Sequence, residues 1–263
     1  MPSNTLYSDL SHYYDLMCCN IDYQDQCAFS HRLFQLFVTA ATSVKPRSLD
    51  LACGTGPHVE HFLSLGYNAS GLDINAPMLV RAQNRCPSAN FSQQDMCNFS
   101  FQDPFALITC FLYSMHYNFP KRNFVQTLQQ TYNALEDGGL FIFDMVGRDH
   151  IANDSGYTHY LDNDEGHFSF QSRWHDTKAD DKLDLMITIT KEHDGVKEQW
   201  QDQHTMLAIN IEEAVTELHR IGFEVTVFKR DYSRLMQWQG DVGNVVLACV
   251  KGAVPVLHHD NTQ

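Results

Sequence analysis

The sequence lacks several features that would place it in special classes of protein. Its 263 residues contain no apolar run of about 18 residues, which a membrane-spanning helix needs. The sequence also lacks a positively charged N-terminal segment followed by an apolar one, which is typical of secreted proteins. Eight cysteines are present without a Cys-x-x-Cys pair, which argues against a zinc ribbon and against a disulfide framework. No His-Glu-x-x-His or similar ligand pair occurs, so no metal is predicted. These absences favour a soluble, cytoplasmic protein.

Basic residues are also scarce. The chain has 18 Lys and Arg against 32 Asp and Glu, a net charge of −14, and no basic cluster exceeds two adjacent residues. Because nucleic-acid binding needs basic side chains to neutralise phosphates, neither DNA nor RNA is expected as a partner. The hydrophobic content of 43% is enough for a full core. We therefore expect one domain with an elaboration.

Apolar and amphipathic segments alternate through the first part of the chain. The strands predicted from them span 48–51, 69–72, 90–93, 105–111 and 140–146, and the helices between them span 59–65, 76–85 and 124–135. Helices at 7–17 and 23–42 precede this region, and a helix at 211–221 and strands at 225–229 and 244–250 follow it. Strands that are apolar on both faces are typical of a parallel sheet covered by helices.

The pattern changes to strict alternation between residues 166 and 209, and Asp194-Gly195 predicts a tight hairpin turn there. We therefore predict a single domain over 1–252. It comprises a helical N-terminal flap (1–47), a core (48–149 and 211–252) and an antiparallel β lid insertion (150–210). Residues 253–263 are predicted to be a flexible tail.

A glycine turn follows the first predicted strand, at Cys53-Gly54-Thr55-Gly56. Acidic residues also stand at the ends of the first three strands: Asp50, Asp73 and Asp95. Ligands of open α/β sheets lie beyond the carboxyl ends of the strands, and the interval from Gly54 to Asp73 is near that at which an acid meets ribose hydroxyls. The arrangement predicts a nucleoside-like ligand.

The residues around the turn narrow the kind of nucleoside. Val59 stands where a dinucleotide fingerprint has its third glycine, and Pro57-His58 replaces the Lys-Ser/Thr of a P-loop. Asp50 would repel a pyrophosphate but would suit an ammonium or sulfonium group. A ligand with ribose and positive charge but no phosphate is expected, and S-adenosylmethionine fits that description.

These segments resemble the motifs of class I S-adenosylmethionine-dependent methyltransferases. Leu49 to Gly56 resembles the first motif, Gly71 to Asn75 the second, Gln94 to Met96 the third, and Leu135 to Leu140 the turn before strand five. The resemblance implies a Rossmann-like, seven-stranded, mostly parallel sheet with an antiparallel last strand. It also implies a set of cofactor-binding residues: Tyr14, Tyr23, Asp50, Ala52, Cys53, Gly54, Gly56, Asp73, Ile74, Asp95, Met96 and Phe111.

The N-terminal segment and the insertion resemble one branch of that family. Tyr13-Tyr14-Asp15 followed by Asp22-Tyr23 looks like the flap of small-molecule N-methyltransferases, such as glycine N-methyltransferase and the N,N-dimethyltransferases of amino sugars. The resemblance implies N-methylation of a small polar metabolite by in-line transfer, with a homodimer as a further expectation and no membrane partner. O- or S-methylation, and a cofactor-binding module without turnover, remain as alternatives.

Candidate residues for the chemistry lie on the flap, at the strand ends and in the lid. The predicted catalytic residues are Tyr14, Tyr23 and His116. The predicted substrate-binding residues are Tyr117, Met145, Arg148, Trp174 and His204. Aromatic faces near the transferred methyl would favour a cationic product, and an arginine would suit an acceptor carboxylate.

Overall fold

The computed structural model describes residues 5–8, 10–38, 45–153, 156–178 and 180–252. Its α-helices are α1 Ser11–Met17, α2 Tyr23–Phe37, α3 Pro57–Ser64, α4 Ala76–Arg85, α5 Lys121–Ala134 and α6 Ile211–Ile221. Its strands are β1 Arg47–Leu51, β2 Asn68–Asp73, β3 Asn90–Gln93, β4 Phe105–Cys110, β5 Leu135–Val146, β6 Gly156–Asn163, β7 Gly166–Asp176, β8 Lys182–His193, β9 Val196–Leu207, β10 Phe223–Lys229 and β11 Asn244–Lys251. The predicted tail and positions 39–42 of the second predicted helix lie outside the described residues.

Seven strands form one sheet in the order β10-β11-β5-β4-β1-β2-β3. The pairs β1–β2, β1–β4, β2–β3 and β4–β5 are parallel, whereas β11 runs antiparallel to both of its neighbours. This confirms the predicted sheet and its antiparallel last strand. Because β1 to β5 are parallel, their carboxyl ends lie at one edge, and the polar residues that follow them are brought together there.

The two faces of the sheet bury alternate residues of each strand. On β5, Phe141 and Phe143 pack on the face covered by α5 and α6, whereas Leu140 and Ile142 pack on the face covered by α2 and α3. This period of two, with both faces apolar, explains why residues 140–143 of β5 form a continuous hydrophobic run. The sheet is thereby fixed between two helical layers.

The insertion forms a second, antiparallel sheet in the order β6-β7-β8-β9. Asp194 and Gly195 join β8 to β9 with φ of 50° and 74°. Positive φ at both central residues is the geometry of a type I′ hairpin turn, which Asp-Gly favours. The hairpin predicted from this dipeptide is therefore confirmed.

The apolar face of this second sheet covers the N-terminal segment. Phe168, Phe170 and Ile187 of the insertion share one buried cluster with Leu10 and Tyr13. These side chains alternate along their strands with polar ones, as a sheet with one solvated face requires. The lid and the flap therefore share a hydrophobic core.

The start of strand β5 differs from the expectation. Strand β5 begins at Leu135 rather than at 140, because residues of the predicted turn pair with β4 through a register shift between Phe105 and Leu107.

Among the described residues, none of the helices has the length and apolar character that crossing a membrane requires.

Candidate functional site

The glycine turn after β1 is held against the end of β2 by a carboxylate. The backbone N–H of Gly54 donates to Oδ2 of Asp73 (2.9 Å), and the N–H of Asn75 donates to Oδ1 (2.8 Å). Gly54 has a φ of +54°, which favours a residue without Cβ. Burial raises the pKa of Asp73, and the hydrogen bonds from Asn75 and Gly54 oppose that rise. The carboxylate is thus preorganised at the strand-end edge.

A cavity of about 230 Å³ lies at this edge. It brings together most of the residues predicted from the motifs after the first three strands. These are Ala52, Gly54, Asp73, Ile74, Asp95 and Met96, with Tyr7, Tyr14, Ser114 and Tyr117 closing the other side. A buried carboxylate and an exposed one, Asp73 and Asp95, therefore face the same space from two strand ends. The arrangement provides acceptors for hydroxyl and amino donors of a nucleoside.

Gly56, the second glycine of the turn, has a different part in the structure. Its φ is +83°, and a Cβ there would lie 3.1 Å from Cβ of Ala82 on α4. The glycine therefore permits the close approach of α3 and α4, and its position is not on the wall of the cavity. The structure thus gives Gly56 a packing role, and its role in cofactor binding stays a prediction.

Four other predicted residues surround a narrow extension of about 20 Å³: Tyr23, Asp50, Cys53 and Phe111, together with Tyr14 and Ala52. Asp50 is buried and accepts a hydrogen bond from the hydroxyl of Thr109 (2.7 Å), and Nδ1 of His58 lies 3.5 Å from its Oδ2. The carboxylate is thus already partnered within the protein.

A second cavity, of about 960 Å³, lies between the flap, the lid and the segments after β4 and β10. It shares four wall residues with the first cavity: Tyr7, Tyr14, Ser114 and Tyr117. Trp174 of the lid also lines it, and the ring of Trp174 meets that of Tyr113 edge to face at 5.6 Å. The two predicted substrate-binding residues Tyr117 and Trp174 are therefore placed on its wall.

Met145 and Arg148, both predicted to bind substrate, lie elsewhere. Met145 is 1% exposed and belongs to the core on the α5 and α6 face of the sheet. Arg148 makes a bidentate pair with Asp176 of β7, at 3.0 and 3.1 Å. Because that pair occupies the guanidinium fork, Arg148 connects the end of the main sheet to the lid rather than binding an acceptor carboxylate.

His116, predicted to be catalytic, is also corrected. The ring is 2% exposed; its Nδ1 lies 2.7 Å from the carbonyl of Leu207, and its Nε2 accepts from the N–H of Val146 at 3.2 Å. Both nitrogens are thus used by backbone groups of β5 and β9. Burial lowers the pKa of His116, so the neutral tautomer with a proton on Nδ1 fits both partners. The side chain joins the two sheets.

His204, predicted to contact substrate, lies behind the cavity wall instead. It is 1% exposed, and its Nδ1 lies 2.6 Å from the hydroxyl of Tyr117, which does line both cavities. His204 is therefore placed behind Tyr117 rather than on the wall of either cavity, and its role in substrate binding stays a prediction.

Sequence reasoning missed His159 and Arg230 on the wall of the larger cavity. His159 is 8% exposed, stacks on Phe170 with ring centroids 5.0 Å apart, and has no hydrogen bond at either ring nitrogen. Arg230 bonds the buried Asp144 at 2.7 Å and lies over the ring of Tyr113. Neither belongs to a motif: His159 lies on β6 of the insertion, and Arg230 follows the last residue of β10.

The flap is fixed to the cofactor edge by one carboxylate. Asp15 of α1 accepts from the hydroxyl of Thr55 (2.6 Å) and from the guanidinium groups of Arg81 (3.0 Å) and Arg85 (3.2 Å). Tyr14, its neighbour in the chain, consequently lies over the glycine turn, with its ring 3.7 Å from the position that a Cβ of Gly54 would take. The flap tyrosine is therefore positioned between the two cavities.

Comparison with known proteins identifies the ligand that this geometry suits. The family model described as "Methyltransferase domain" matches residues 49–139, which contain the glycine turn and the three strand-end acids. YqeM of Bacillus subtilis, named as a methyltransferase, is 24% identical over 75% of this chain and 81% of its own. The chain is an S-adenosylmethionine-dependent methyltransferase.

Two further relatives are similar to this methyltransferase. The dTDP-3-amino-3,4,6-trideoxy-alpha-D-glucopyranose N,N-dimethyltransferase of Streptomyces venezuelae is 32% identical over 36% of this chain and 40% of its own. The crystal structure of DesVI from Streptomyces venezuelae aligns with a TM-score of 0.77, at 21% identity, over 93% of this chain and 99% of that one. At that identity the structural match shows the fold.

The methyltransferase's own residues fit S-adenosylmethionine. The 230 Å³ cavity combines the backbone of the glycine turn, with no Cβ at Gly54, and the carboxylates of Asp73 and Asp95. Hydroxyl and amino groups of an adenosine can donate to those carboxylates. Among the described residues, neither Lys nor Arg lines this cavity, as suits a ligand without phosphates.

Proposed function

We propose that this methyltransferase transfers a methyl group to the amine of a small polar metabolite. The observation that carries the proposal is the junction of the two cavities, where three tyrosines and a serine line both the nucleoside-sized space and the larger one. An acceptor in the larger cavity would therefore reach the methyl end of a cofactor in the smaller one. The amino-sugar N,N-dimethyltransferases among the relatives support an amine as the acceptor.

The charge of the acceptor cavity favours the same class of substrate. Its rim carries the carboxylates of Asp22, Asp25 and Asp231, while its one wall arginine, Arg230, is already bonded to Asp144. An approaching ammonium would be attracted to such a rim, and a phosphate-bearing molecule would be repelled. A free or simply substituted amine thus suits this cavity better than an anionic acceptor.

Aromatic faces around the junction suit the product of amine methylation. Tyr7, Tyr14 and Tyr117 line the junction, and Trp174 lines the acceptor cavity beyond it. A methylated ammonium is attracted to aromatic faces, by about 0.5–2 kcal/mol each. Transfer to nitrogen develops positive charge on the acceptor, and this stabilisation is then strongest as the reaction proceeds.

Different residues of the chain would bind the cofactor, align the acceptor and exclude water. Bound S-adenosylmethionine supplies an electrophilic methyl group on a sulfonium. Asp73 and Asp95 would hold the nucleoside, and Tyr14 would cover the methionine end from the flap. The lid and flap would align the acceptor and exclude water, which is the main contribution an enzyme makes to such a displacement.

The experiment compares amines with their N-acetylated counterparts as acceptors of labelled methyl from S-adenosylmethionine. The panel contains glucosamine, glycine and ethanolamine, each beside its N-acetyl derivative, with a simple carboxylate and a simple thiol added. N-acetylation delocalises the nitrogen lone pair into the new carbonyl, so the nitrogen is no longer nucleophilic, but every hydroxyl stays in place. We expect label in at least one free amine and none in its N-acetyl partner.

Two results would contradict the proposal. Equal labelling of an amine and its N-acetyl derivative would place the methyl on a hydroxyl and favour O-methylation. Label in the thiol or carboxylate alone would favour S- or carboxyl methylation.

A further inference from the structure

A chain of close polar contacts runs from the lid to the junction of the two cavities. The hydroxyl of Tyr7 lies 2.5 Å from that of Tyr117, and the hydroxyl of Tyr117 lies 2.6 Å from Nδ1 of His204. Nε2 of His204 lies 3.0 Å from Oδ2 of Asp202. The same carboxylate oxygen accepts from the N–H of Leu6 at 2.9 Å, so the chain also ties the flap to β9.

The two ends of this chain have different surroundings. Asp202 and His204 are 6% and 1% exposed, behind the cavity wall. Tyr7 and Tyr117 line both cavities, where the cofactor and the acceptor would meet. A buried carboxylate and imidazole thus connect, through two phenol hydroxyls, to the place of the reaction.

The hydrogen bonds can be assigned a direction. The carboxylate of Asp202 lies near Nε2 of His204 and favours the tautomer with its proton on Nε2. The N–H of Nε2 does not point at the carboxylate oxygen, so it makes no hydrogen bond. Nδ1 must then accept from the hydroxyl of Tyr117, and the oxygen of Tyr117 accepts from the hydroxyl of Tyr7. The oxygen of Tyr7 keeps its own lone pairs for a donor in the cavities.

The geometry points to this chain as the route by which the acceptor loses its proton. An N–H bond of the acceptor breaks, its electron pair stays on nitrogen, and the proton passes to the oxygen of Tyr7. The proton of Tyr7 moves to Tyr117, and the proton of Tyr117 moves to Nδ1 of His204. The resulting imidazolium is stabilised by the carboxylate of Asp202, and the proton later leaves to solvent by the reverse path.

Other charged and titratable groups face the chain. Among the described residues, these include Asp73 at the end of β2, Cys18 just after α1 and Tyr14, whose ring meets that of Tyr7 edge to face at 5.8 Å. Burial raises the pKa values of Tyr7 and Tyr117 well above the ordinary value. Both hydroxyls therefore stay protonated and pass protons on without holding a negative charge.

The inference rests on the proposed function only in that the acceptor has a proton to lose, which holds for an amine and for an alcohol. The test uses Tyr7→Phe, Tyr117→Phe and the double variant, with the acceptor of the panel above that turns over fastest. We expect kcat to fall by about 100-fold or more in each single variant, as for loss of acid–base catalysis. The kcat of the double variant should be no lower than that of either single variant, because each substitution alone already interrupts the proton route.

The pH profile distinguishes proton transfer from a structural tie. With an amine acceptor, the wild-type protein should retain turnover below the pKa of the free amine. In Tyr117→Phe the acid limb of kcat/KM should move up towards that pKa, because only acceptor molecules already neutral in solution then react. Affinity for S-adenosylhomocysteine should stay within about threefold of wild type. His167→Asn, which alters an exposed histidine–aspartate pair on the lid, serves as the control with unchanged kinetics.

The outcomes separate the two proposals. Suppose that an amine is methylated but that kcat of Tyr117→Phe stays within threefold of wild type, or that the acid limb of its pH profile does not move. That result overturns the proton route and leaves the proposed methylation of an amine standing. A methylated alcohol with the 100-fold loss overturns the amine function and supports the route. Losses that multiply in the double variant would show two independent contacts and overturn the route.

Discussion

Replacing His116 with phenylalanine tests whether this histidine joins the two sheets or takes part in the chemistry. The variant keeps a ring of similar size but removes both nitrogens, which leaves the carbonyl of Leu207 and the N–H of Val146 without their partners. Each buried, unsatisfied backbone group costs about 1–3 kcal/mol, so we expect a loss of about 2–6 kcal/mol in the free energy of unfolding at pH 8.

The same variant has a definite pH dependence. Burial lowers the pKa of His116 in the folded protein; its hydrogen bond to Leu207 and the charge of Asp144 oppose the shift without cancelling it. The unfolded chain then binds more protons below about pH 6.5, so the wild-type protein loses stability as the pH falls. At pH 5.5 the difference between wild type and variant should therefore be smaller than at pH 8.

Urea unfolding followed by circular dichroism at pH 8.0 and pH 5.5 measures both quantities. His116→Gln, which can restore one of the two hydrogen bonds, should lie between wild type and His116→Phe. His167→Asn is a control of opposite sign: the hydrogen bond to Asp162 raises the pKa of His167, so its small contribution is present in acid and lost as the pH rises. A His116→Phe protein that is as stable as wild type but has no turnover would refute the structural role.

Three further predictions concern the two cavities and the lid. Asp73→Ala should weaken S-adenosylhomocysteine binding about 10- to 150-fold by calorimetry, because a charged hydrogen-bond acceptor is lost; unchanged affinity would contradict the placement of the nucleoside. His159→Phe should raise the acceptor KM without lowering the melting temperature, because both ring nitrogens are buried without partners; an unaltered KM would argue against acceptor contact. Asp176→Asn should cost about 3–5 kcal/mol at pH 7, because it breaks a buried pair with Arg148. Burial alone would raise the pKa of Asp176, but Arg148 and Lys178 lower it, so that difference should begin to shrink below about pH 4; a difference that is as large at pH 3 as at pH 7 would contradict the assignment.

The sequence predicted the strands and helices of the main sheet because their signals are local. The apolar strands, the helix stop at Gly222 with φ of +116° and the hairpin turn at Asp194 each depend on neighbours only a few residues away. The strand-end acids Asp73 and Asp95 were predictable for the same reason, since parallel strands bring their carboxyl ends to one edge. The position of these two acids at one edge of the sheet could therefore be inferred from the sequence.

The errors arose where the direction of a side chain decides its role. Met145 shares the strand face of Phe141 and Phe143, so the period of two already assigns it to the core. Arg148 and His116 find their partners in β7 and β9, which lie 28 and 91 residues further along the chain. No local pattern could pair those residues, because the pairs exist only once the lid has docked on the main sheet.

The N-terminal segment is where the two sheets and the two cavities are coupled. Asp15 fixes it to the glycine turn and α4, while the N–H of Leu6 fixes it to Asp202 in the lid. Tyr7 and Tyr14 lie on the short stretch between these two ties, and both line both cavities. A change in either tie should therefore alter cofactor and acceptor binding together. Asp15→Asn, remote from the acceptor cavity wall, should raise KM for both substrates, and a change confined to one of them would show that the flap does not couple the sites.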